Sequence, residues 1–361
     1  MKTLLIMAGG TGGHVIPALA VAKNLRDRGV NIIWMGTAKG IEHRLVPEAG
    51  FDLRLVKVKG LRGTGLLRKL LAPLVLLGAA LQAMRIIISC KANAILGMGG
   101  YVSGPGGLVG RVLLKPLMLH EQNAVAGTTN KLLAPFACCV MTGFEQVKGL
   151  SGTTYLGNPV RQDIVEIAAP RERLSAREQV FNVLVVGGSQ GAQVFNEELP
   201  QLLDTLRQQL GDGIKLHVVH QCGRNNQDAV TQRYANTGLV FEAEEFIENM
   251  AAAYRQSDLV ICRSGAMTVS EVAAAGAVAL FVPLPYAIDD HQFYNAKAMA
   301  ESQAAMCFRQ ERFVSGEWLA DVVELATKRE NLINMAVRAR TFARPDATRQ
   351  VADVCLEVLN A

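Results

Sequence analysis

The stretch "LLIMAGGTGGHVIPALAVA", residues 4–22, returns in outline as "VLVVGGSQGA", residues 183–192. In each, an apolar run leads into two glycines, a hydroxyl residue and a further glycine, and the two copies lie 178 residues apart. An apolar run that breaks on glycines and then resumes as a helical pattern reads as the first βα unit of a doubly wound sheet. Two such openings in 361 residues predict two Rossmann-like α/β domains, each a parallel sheet with crossover helices.

The rest of the chain keeps that rhythm. Strands are expected at Thr3–Ala8, Asn31–Gly36, Leu53–Val58, Ala94–Met98, Pro116–Leu119 and Cys138–Thr142. After the second opening they are expected near 215–219, 238–242, 258–262 and 279–282. Gly157, Asn158 and Pro159 read as the linker, so the first domain is drawn as 1–158 and the second as 159–342. Ligands of such sheets bind at the carboxyl ends of the strands, and two facing domains would enclose a cleft.

Composition removes several classes. Half of the residues are hydrophobic and 19% are charged, enough apolar material for a core without staples. Seven cysteines without a CxxC spacing argue against a disulfide framework or a zinc site and for a reducing compartment. Only about six apolar residues precede the first glycines, fewer than the roughly 7–15 of a signal sequence, so a cytoplasmic chain is expected.

The charge is unevenly placed. Ten of the 37 basic residues, and none of the 32 acidic ones, lie between Leu53 and His120, which leaves the remainder net acidic. Inside this region residues 65–88 hold 15 uncharged positions between Lys69 and Arg85, interrupted by Pro73 and Gly78. That is short of the roughly 20 residues of a spanning helix. Two readings stand: a core helix covering the sheet, or a run fringed by Arg68, Lys69 and Arg85 that rests on an anionic membrane face. The segment lacks the interleaved aromatics of a nucleic-acid surface, so lipid or phosphate is favoured and no nucleic-acid partner is expected.

The glycine loops exclude some ligands and invite others. The third glycine of a dinucleotide fingerprint would fall at Val15, no acidic residue ends the second strand, and no G-K-[ST] follows, so neither a nicotinamide dehydrogenase nor a P-loop is supported. What remains is a set of backbone N–H groups aimed from a helix start at a phosphate or an oxyanion. His14 stands at that start, where the helix dipole favours the neutral imidazole of a general base. An incidental histidine in a tight turn is the alternative. "GMGGYVSGPGG", residues 97–107, repeats the device in the basic region, and "GGSQGA", residues 187–192, repeats it in the second half with Ser189 beside it. Polar clusters close further strands: "HEQNAVAG" at 120–127, "RSGAMTVSE" at 263–271 and "DDHQFYNA" at 289–296. Each reads alone as capping chemistry and together as a sugar and ribose binding set. Six scattered histidines give no HxxxH or DxD metal spacing, and a Ser/His/Asp hydrolase is not supported.

Seven ordered motifs, "GGTGGHVIPALAVA", "GMGGYVSGPG", "HEQNAVAG", "GNPVR", "GGSQGA", "RSGAMTVSE" and "DHQFYNA", make the chain resemble the undecaprenyldiphospho-muramoylpentapeptide N-acetylglucosaminyltransferases of bacterial cell-wall synthesis. The resemblance implies a GT-B enzyme that moves N-acetylglucosamine (GlcNAc) from UDP-GlcNAc to the muramoyl 4-hydroxyl of lipid I, with inversion, at the cytoplasmic face of the cell membrane. It implies no metal and no cofactor, because loop N–H groups and helix dipoles stabilise the leaving UDP. On the donor side it assigns Ser189 to the diphosphate, the Ile247 backbone and Phe246 to the uracil, Arg161 to the region of the base and Glu271 to the ribose. Asn123, Ala266 with the following Met267, Thr268, Val269 and Ser270, Gln292, His291 and Asn295 would surround the GlcNAc, with Thr11, Gly12 and Gly13 close to it. Tyr101 and Ser103 would meet the acceptor diphosphate. His14 and Glu121 compete for the role of base. The final helix, within 343–361, is expected to pack back on the first domain, with closure hinged there and near Gly157 to Pro159. A UDP-sugar epimerase and a noncatalytic phosphate or lipid binder are the rival readings.

Overall fold

The computed structural model describes residues 1–58, 66–175, 179–188 and 191–361, the side chains of 66–72 excepted. They form two units, Met1–Val160 with Arg344–Ala361, and Arg161–Ala343.

The first unit carries seven parallel strands: β1 (Thr3–Met7), β2 (Asn31–Gly36), β3 (Asp52–Leu55), β4 (Ala94–Gly97), β5 (Leu117–Glu121), β6 (Cys139–Thr142) and β7 (Thr154–Tyr155). Their order is β3-β2-β1-β4-β5-β6-β7. The winding direction reverses between β1 and β4, so the loops that follow these two strands flank the switch point where such sheets bind ligands. Alternation along β1 sends Leu4, Ile6 and Ala8 to one face and Leu5 and Met7 to the other. The first face is covered by α1 (Gly12–Asp27) and by the final helix Ala347–Asn360, which buries Val351, Ala352, Cys355 and Leu359. Lys2 ties the chain start to that helix through the Leu359 carbonyl. α2 (Glu42–Glu48) follows β2.

The second face is covered by α3 (Leu66–Ser89) and α4 (Ser103–Val112). The run at 65–88 is thus a helix with two sides. Ala79, Ala83 and Ile87, spaced four apart, are buried against the sheet, while Leu74, Leu77, Leu81 and Ile88 are exposed. Leu108 and Val112 of α4 are exposed as well, with Arg85 and Arg111 at the surface among them. Among the described residues no helix is long and apolar enough to cross a membrane.

The second unit has six parallel strands: β8 (Val180–Val186), β9 (Lys215–Gln221), β10 (Val240–Glu244), β11 (Leu259–Cys262), β12 (Val278–Phe281) and β13 (Met306–Cys307). Their order, β10-β9-β8-β11-β12-β13, puts the switch point between β8 and β11. The core of this unit gathers Val183 and Val185 of β8 with Phe195, Leu199 and Leu203 of the helix Gln193–Leu210. Phe313 and Trp318 stack within it at 5.7 Å.

Candidate functional site

In the first unit the chemistry collects at the carboxyl ends of β1, β4 and β5. The loops after β1 and β4 are pressed together. A Cβ on Gly100, whose φ is +86°, would stand 2.4 Å from the Gly9 carbonyl oxygen, so only glycine fits there. A Cβ on Gly99 would strike the His14 ring at 2.5 Å from Nδ1. Much of the glycine density that sequence reading assigned to phosphate is therefore required for the two loops to touch.

The loop after β1 is also partly committed internally. The Glu42 carboxylate, wholly buried, accepts hydrogen bonds from the Gly10 amide (2.9 Å) and from the amide and hydroxyl of Thr37 (both 2.8 Å). Gly9, Gly36 and Gly40 leave the space its side chain fills. His14 and Val15 donate their amides to the Thr11 carbonyl at 3.2 Å. The amides of Thr11, Gly12 and Gly13 precede this first helical turn, and Thr11 is exposed.

β5 runs two residues further than expected, which carries His120 and Glu121 into the sheet and sets Gln122 and Asn123 just past it. His120 is fully buried. Its Nε2 lies 3.0 Å from the Gly157 carbonyl, and burial pushes its pKa below the ordinary histidine value. Gln122, 1% exposed, places Nε2 3.1 Å from His120 Nδ1 and Oε1 2.9 Å from His14 Nδ1. Glu121 is 2% exposed and both of its oxygens are occupied. Oε1 accepts from the Asn123 amide (3.0 Å) and Asn123 Nδ2 (3.2 Å), and Oε2 accepts from the Gly127 amide (3.0 Å) and Asn130 Nδ2 (2.8 Å). Asn130 belongs to α5 (Thr128–Leu133), so this carboxylate holds a whole turn in shape. Ser103 is likewise buried, with its hydroxyl 3.0 Å from the Gly99 carbonyl and 3.2 Å from that of Met7. Tyr101 is exposed.

In the second unit the loop after β8 is held by glycine. Gly187 donates to the Gln221 carbonyl at 3.2 Å, and a Cβ on Gly191, at φ +75°, would fall 2.1 Å from the Cys222 carbonyl oxygen. Ser189 lies outside the described residues. After β11 the chain turns at Ser264 and Gly265 into the helix Ala266–Ala275. The first bond of that helix runs from the Val269 amide to the Gly265 carbonyl, so the amides of Ala266, Met267 and Thr268 precede the ladder at its positive end. The side chains of Ala266, Met267 and Val269 are buried, and the Ser270 hydroxyl turns back to the Ala266 carbonyl at 2.9 Å.

Glu271 lies on the same helix. One oxygen accepts from the Tyr254 hydroxyl at 3.2 Å and the other is 3.7 Å from the Arg161 guanidinium. Burial raises its pKa above the usual carboxylate range, against the pull of Arg161. Arg161 and Glu271 are thus brought together. Gln292, on the helix His291–Glu301, accepts from the Leu284 amide at 3.0 Å and so fixes the loop after β12. His291 Nδ1 donates to the Ile288 carbonyl at 2.7 Å. Asn295 is fully buried and donates to the Ser264 carbonyl at 3.1 Å, which links two of the loops from beneath. Ile247 is buried while Phe246 is exposed.

Two buried groups escaped sequence reading. Glu42 acts through Gly10 and Thr37, after the first two strands. His120 and Gln122, read within "HEQNAVAG" as part of the binding set, are instead buried. Arg263, the first residue of "RSGAMTVSE", is the second group missed. Its guanidinium donates to the Val282 carbonyl (3.1 Å) and to Gln310 (2.9 Å), stacks 4.9 Å from the Phe195 ring, and is pulled down to about 10 by burial. Its signal was its place directly after a strand and before a small-residue turn. Among the described residues no group of three His, Cys, Asp or Glu is placed to hold a metal ion.

The chain matches the glycosyltransferase family 28 N-terminal domain over residues 4–142 and the glycosyltransferase family 28 C-terminal domain over residues 182–351. It is 45% identical over 359 residues to the UDP-N-acetylglucosamine--N-acetylmuramyl-(pentapeptide) pyrophosphoryl-undecaprenol N-acetylglucosamine transferase of Dechloromonas aromatica, with 99% of each chain covered. The crystal structure of Acinetobacter baumannii MurG superposes with a TM-score of 0.85 at 40% identity, covering 99% of this chain and 100% of that one. The UDP-GlcNAc 2-epimerase of Neisseria meningitidis superposes with a TM-score of 0.67 at 10% identity, a likeness of fold alone. Two parallel Rossmann-like sheets, both halves of one family signature in order, and a full-length relative at 45% identity have one reading: the chain belongs to glycosyltransferase family 28, among the MurG-type GT-B enzymes.

Proposed function

We propose that the protein transfers GlcNAc from UDP-GlcNAc to the 4-hydroxyl of the muramoyl residue of lipid I, giving lipid II for peptidoglycan. The observation that carries this reading is the full-length match to a transferase of that name, joined to a set of residues that suits both substrates.

The second unit is assigned the donor. Glu271 accepts from the ribose hydroxyls while Arg161, 3.7 Å away, keeps part of its charge compensated. Arg161 and the Ile247 backbone, with Phe246, take the base. The free amides of Ala266, Met267 and Thr268 face the charge that builds on the leaving diphosphate, a stabilisation that strengthens as the glycosidic bond breaks. Ser189 and the loop after β8 complete the diphosphate site, and Gln292 and Asn123 bind GlcNAc. His291 and Asn295 shape the loops around it.

The first unit is assigned the acceptor. His14 takes the proton of the muramoyl 4-hydroxyl through Nε2 as that oxygen attacks the anomeric carbon from the face opposite UDP. The carbon–oxygen bond to UDP breaks and its electron pair leaves on the β-phosphate. His14 is preferred to Glu121 because both Glu121 oxygens already accept two hydrogen bonds each. The acceptor diphosphate is assigned to the amides of Thr11, Gly12 and Gly13 and to Tyr101, with Ser103 holding the loop from below. No cofactor and no metal enter this scheme.

The lipid tail of the acceptor needs a membrane, and the exposed face of α3 and α4 supplies a surface for one. Leu74, Leu77, Leu81, Leu108 and Val112 are exposed beside Arg85 and Arg111, in a region without a single acidic residue from Leu53 to His120. An apolar helix face ringed by arginine binds an anionic leaflet peripherally, at about 1 kcal/mol per nearby cation. On that basis the enzyme is read as a peripheral membrane protein, and the cytoplasmic face is the side that the resemblance to the family implies. The base assignment is tested by His14→Ala, which is expected to lower kcat by about 10²–10⁴-fold with substrate binding retained. A kcat within threefold of the wild type overturns it.

A further inference from the structure

We propose that Gln122 is the positioning residue that sets the tautomer of His14, through a buried chain that begins at the Gly157 carbonyl. The inference rests on the assignment of His14 as base.

Each link of the chain fixes the next. A carbonyl oxygen only accepts, so His120 Nε2, 3.0 Å from Gly157 O, carries the hydrogen. Burial keeps His120 neutral, so its Nδ1 holds a lone pair. Only the amide nitrogen of Gln122 can satisfy that lone pair, at 3.1 Å, and the second hydrogen of the same nitrogen is taken by the His120 carbonyl, also at 3.1 Å. This settles which end of the Gln122 amide is which. Its oxygen is therefore the atom 2.9 Å from His14 Nδ1, and an oxygen there requires Nδ1 to be the donor. A neutral His14 then bears its hydrogen on Nδ1 and leaves Nε2 as a free lone pair, which has no hydrogen-bond partner among the described residues. A base that accepts a hydroxyl proton needs that tautomer and no other.

The chain works from inside the core. His120 is 0% exposed and Gln122 1%, so water does not compete for their bonds. The His14 ring occupies space that only glycine leaves at position 99, since a Cβ there would fall 2.5 Å from Nδ1 and 2.6 Å from Cε1. No carboxylate is among the hydrogen-bond partners of these three side chains: Glu42 is turned to Gly10 and Thr37, and Glu121 to Asn123, Gly127 and Asn130. An amide oxygen orients the imidazole without the strong preference for imidazolium that a carboxylate in its place would impose. Histidine and glutamine two residues apart on a strand end, with a second histidine delivered from a helix start, thus form one unit.

The test uses the full-length protein with ¹⁵N-labelled histidine imidazoles, a UDP-GlcNAc transfer assay and two variants. In the wild type at pH 8 the ¹⁵N spectrum should show His14 protonated on Nδ1 and bare on Nε2, its signals identified by their loss in His14→Ala. Gln122→Met should mix or reverse the two tautomers and lower kcat by at least about tenfold, the value of one lost hydrogen bond, with KM for UDP-GlcNAc within about twofold. Gln122→Glu keeps an acceptor at Nδ1 and adds a charge, so it should preserve the tautomer, recover kcat at high pH and move the acid limb of the pH–rate profile upward by about one pH unit or more. If Gln122→Met leaves both the ¹⁵N pattern and kcat as in the wild type while His14→Ala is inactive, the relay is wrong and the base assignment stands. If His14→Ala itself keeps its kcat, the base assignment is wrong, whatever the spectra show.

Discussion

Replacing Glu121 by glutamine separates the two roles that sequence allows this residue. Four donors face its carboxylate in two pairs: both nitrogens of Asn123 on one oxygen, and the Gly127 amide with Asn130 Nδ2 on the other. A glutamine offers an oxygen to only one pair and turns its own NH₂ toward the other. Two hydrogen bonds to a charged acceptor are lost in either orientation, at about 1.5–3 kcal/mol each, so about 3–6 kcal/mol. That is a large share of the 5–15 kcal/mol that holds a typical domain. For a unit of this size it corresponds to a fall in Tm on the order of 10 °C. Thermal unfolding read by a first-unit signal is the primary assay, and the Gly127 amide should exchange faster with solvent in the native state. Asn123 loses its anchor, so KM for the donor should rise as well. A Tm within about 2 °C of the wild type, together with a kcat lowered by 10²-fold or more, would refute the reasoning and make Glu121 the base.

Three further outcomes follow from the geometry. Glu271→Gln should raise KM for UDP-GlcNAc by about tenfold or more, as charged acceptors of hydrogen bonds contribute roughly 1.5–3 kcal/mol. Because burial raises the Glu271 pKa, the native state holds that proton to higher pH than the unfolded chain, and stability attributable to the group falls as pH rises through its folded value. The Gln variant lacks that loss, so its Tm relative to the wild type should improve from acidic to neutral pH, and a difference independent of pH would contradict the assignment. Gly191→Ala should lose both stability and donor binding, since its Cβ would fall 2.1 Å from the Cys222 oxygen at φ +75°, and unchanged unfolding and KM would show that the loop moves aside. Arg68→Glu with Lys69→Glu, whose side chains lie outside the described residues, should weaken sedimentation with anionic vesicles by about thirtyfold or more, at about 1 kcal/mol for each cation lost near the surface, and binding equal to the wild type would overturn the proposed membrane role of α3.

The longer strands of both units were within reach of sequence because buried parallel strands are short apolar runs between glycine turns, as at Leu4–Met7 and Val183–Val186. β7 and β13 were not, since two residues apiece carry no period. The helix at 65–88 could be read only as core or surface, while the structure divides it by face, with Ala83 inward and Leu81 outward. At the site, the motifs located the strand ends correctly but not the direction of each side chain. Ser103, Glu121 and Asn295 look like ligand contacts in the sequence and are bonded inward in the fold. Glu42 is the reverse case: no motif singles it out, yet it lies buried beneath the first glycine loop because Gly9, Gly36 and Gly40 make a place for it. Such relations join residues far apart in the chain, and no local pattern records them.

The central claim is a transfer reaction, and the most direct measurement follows radiolabel from UDP-GlcNAc in the presence of lipid I in anionic vesicles. Label that moves into the lipid-soluble fraction, with one UDP released for each sugar moved and none when lipid I is omitted, is the predicted result. Label that stays water-soluble, as an isomerised UDP-sugar or as unchanged donor bound without turnover, would contradict the account.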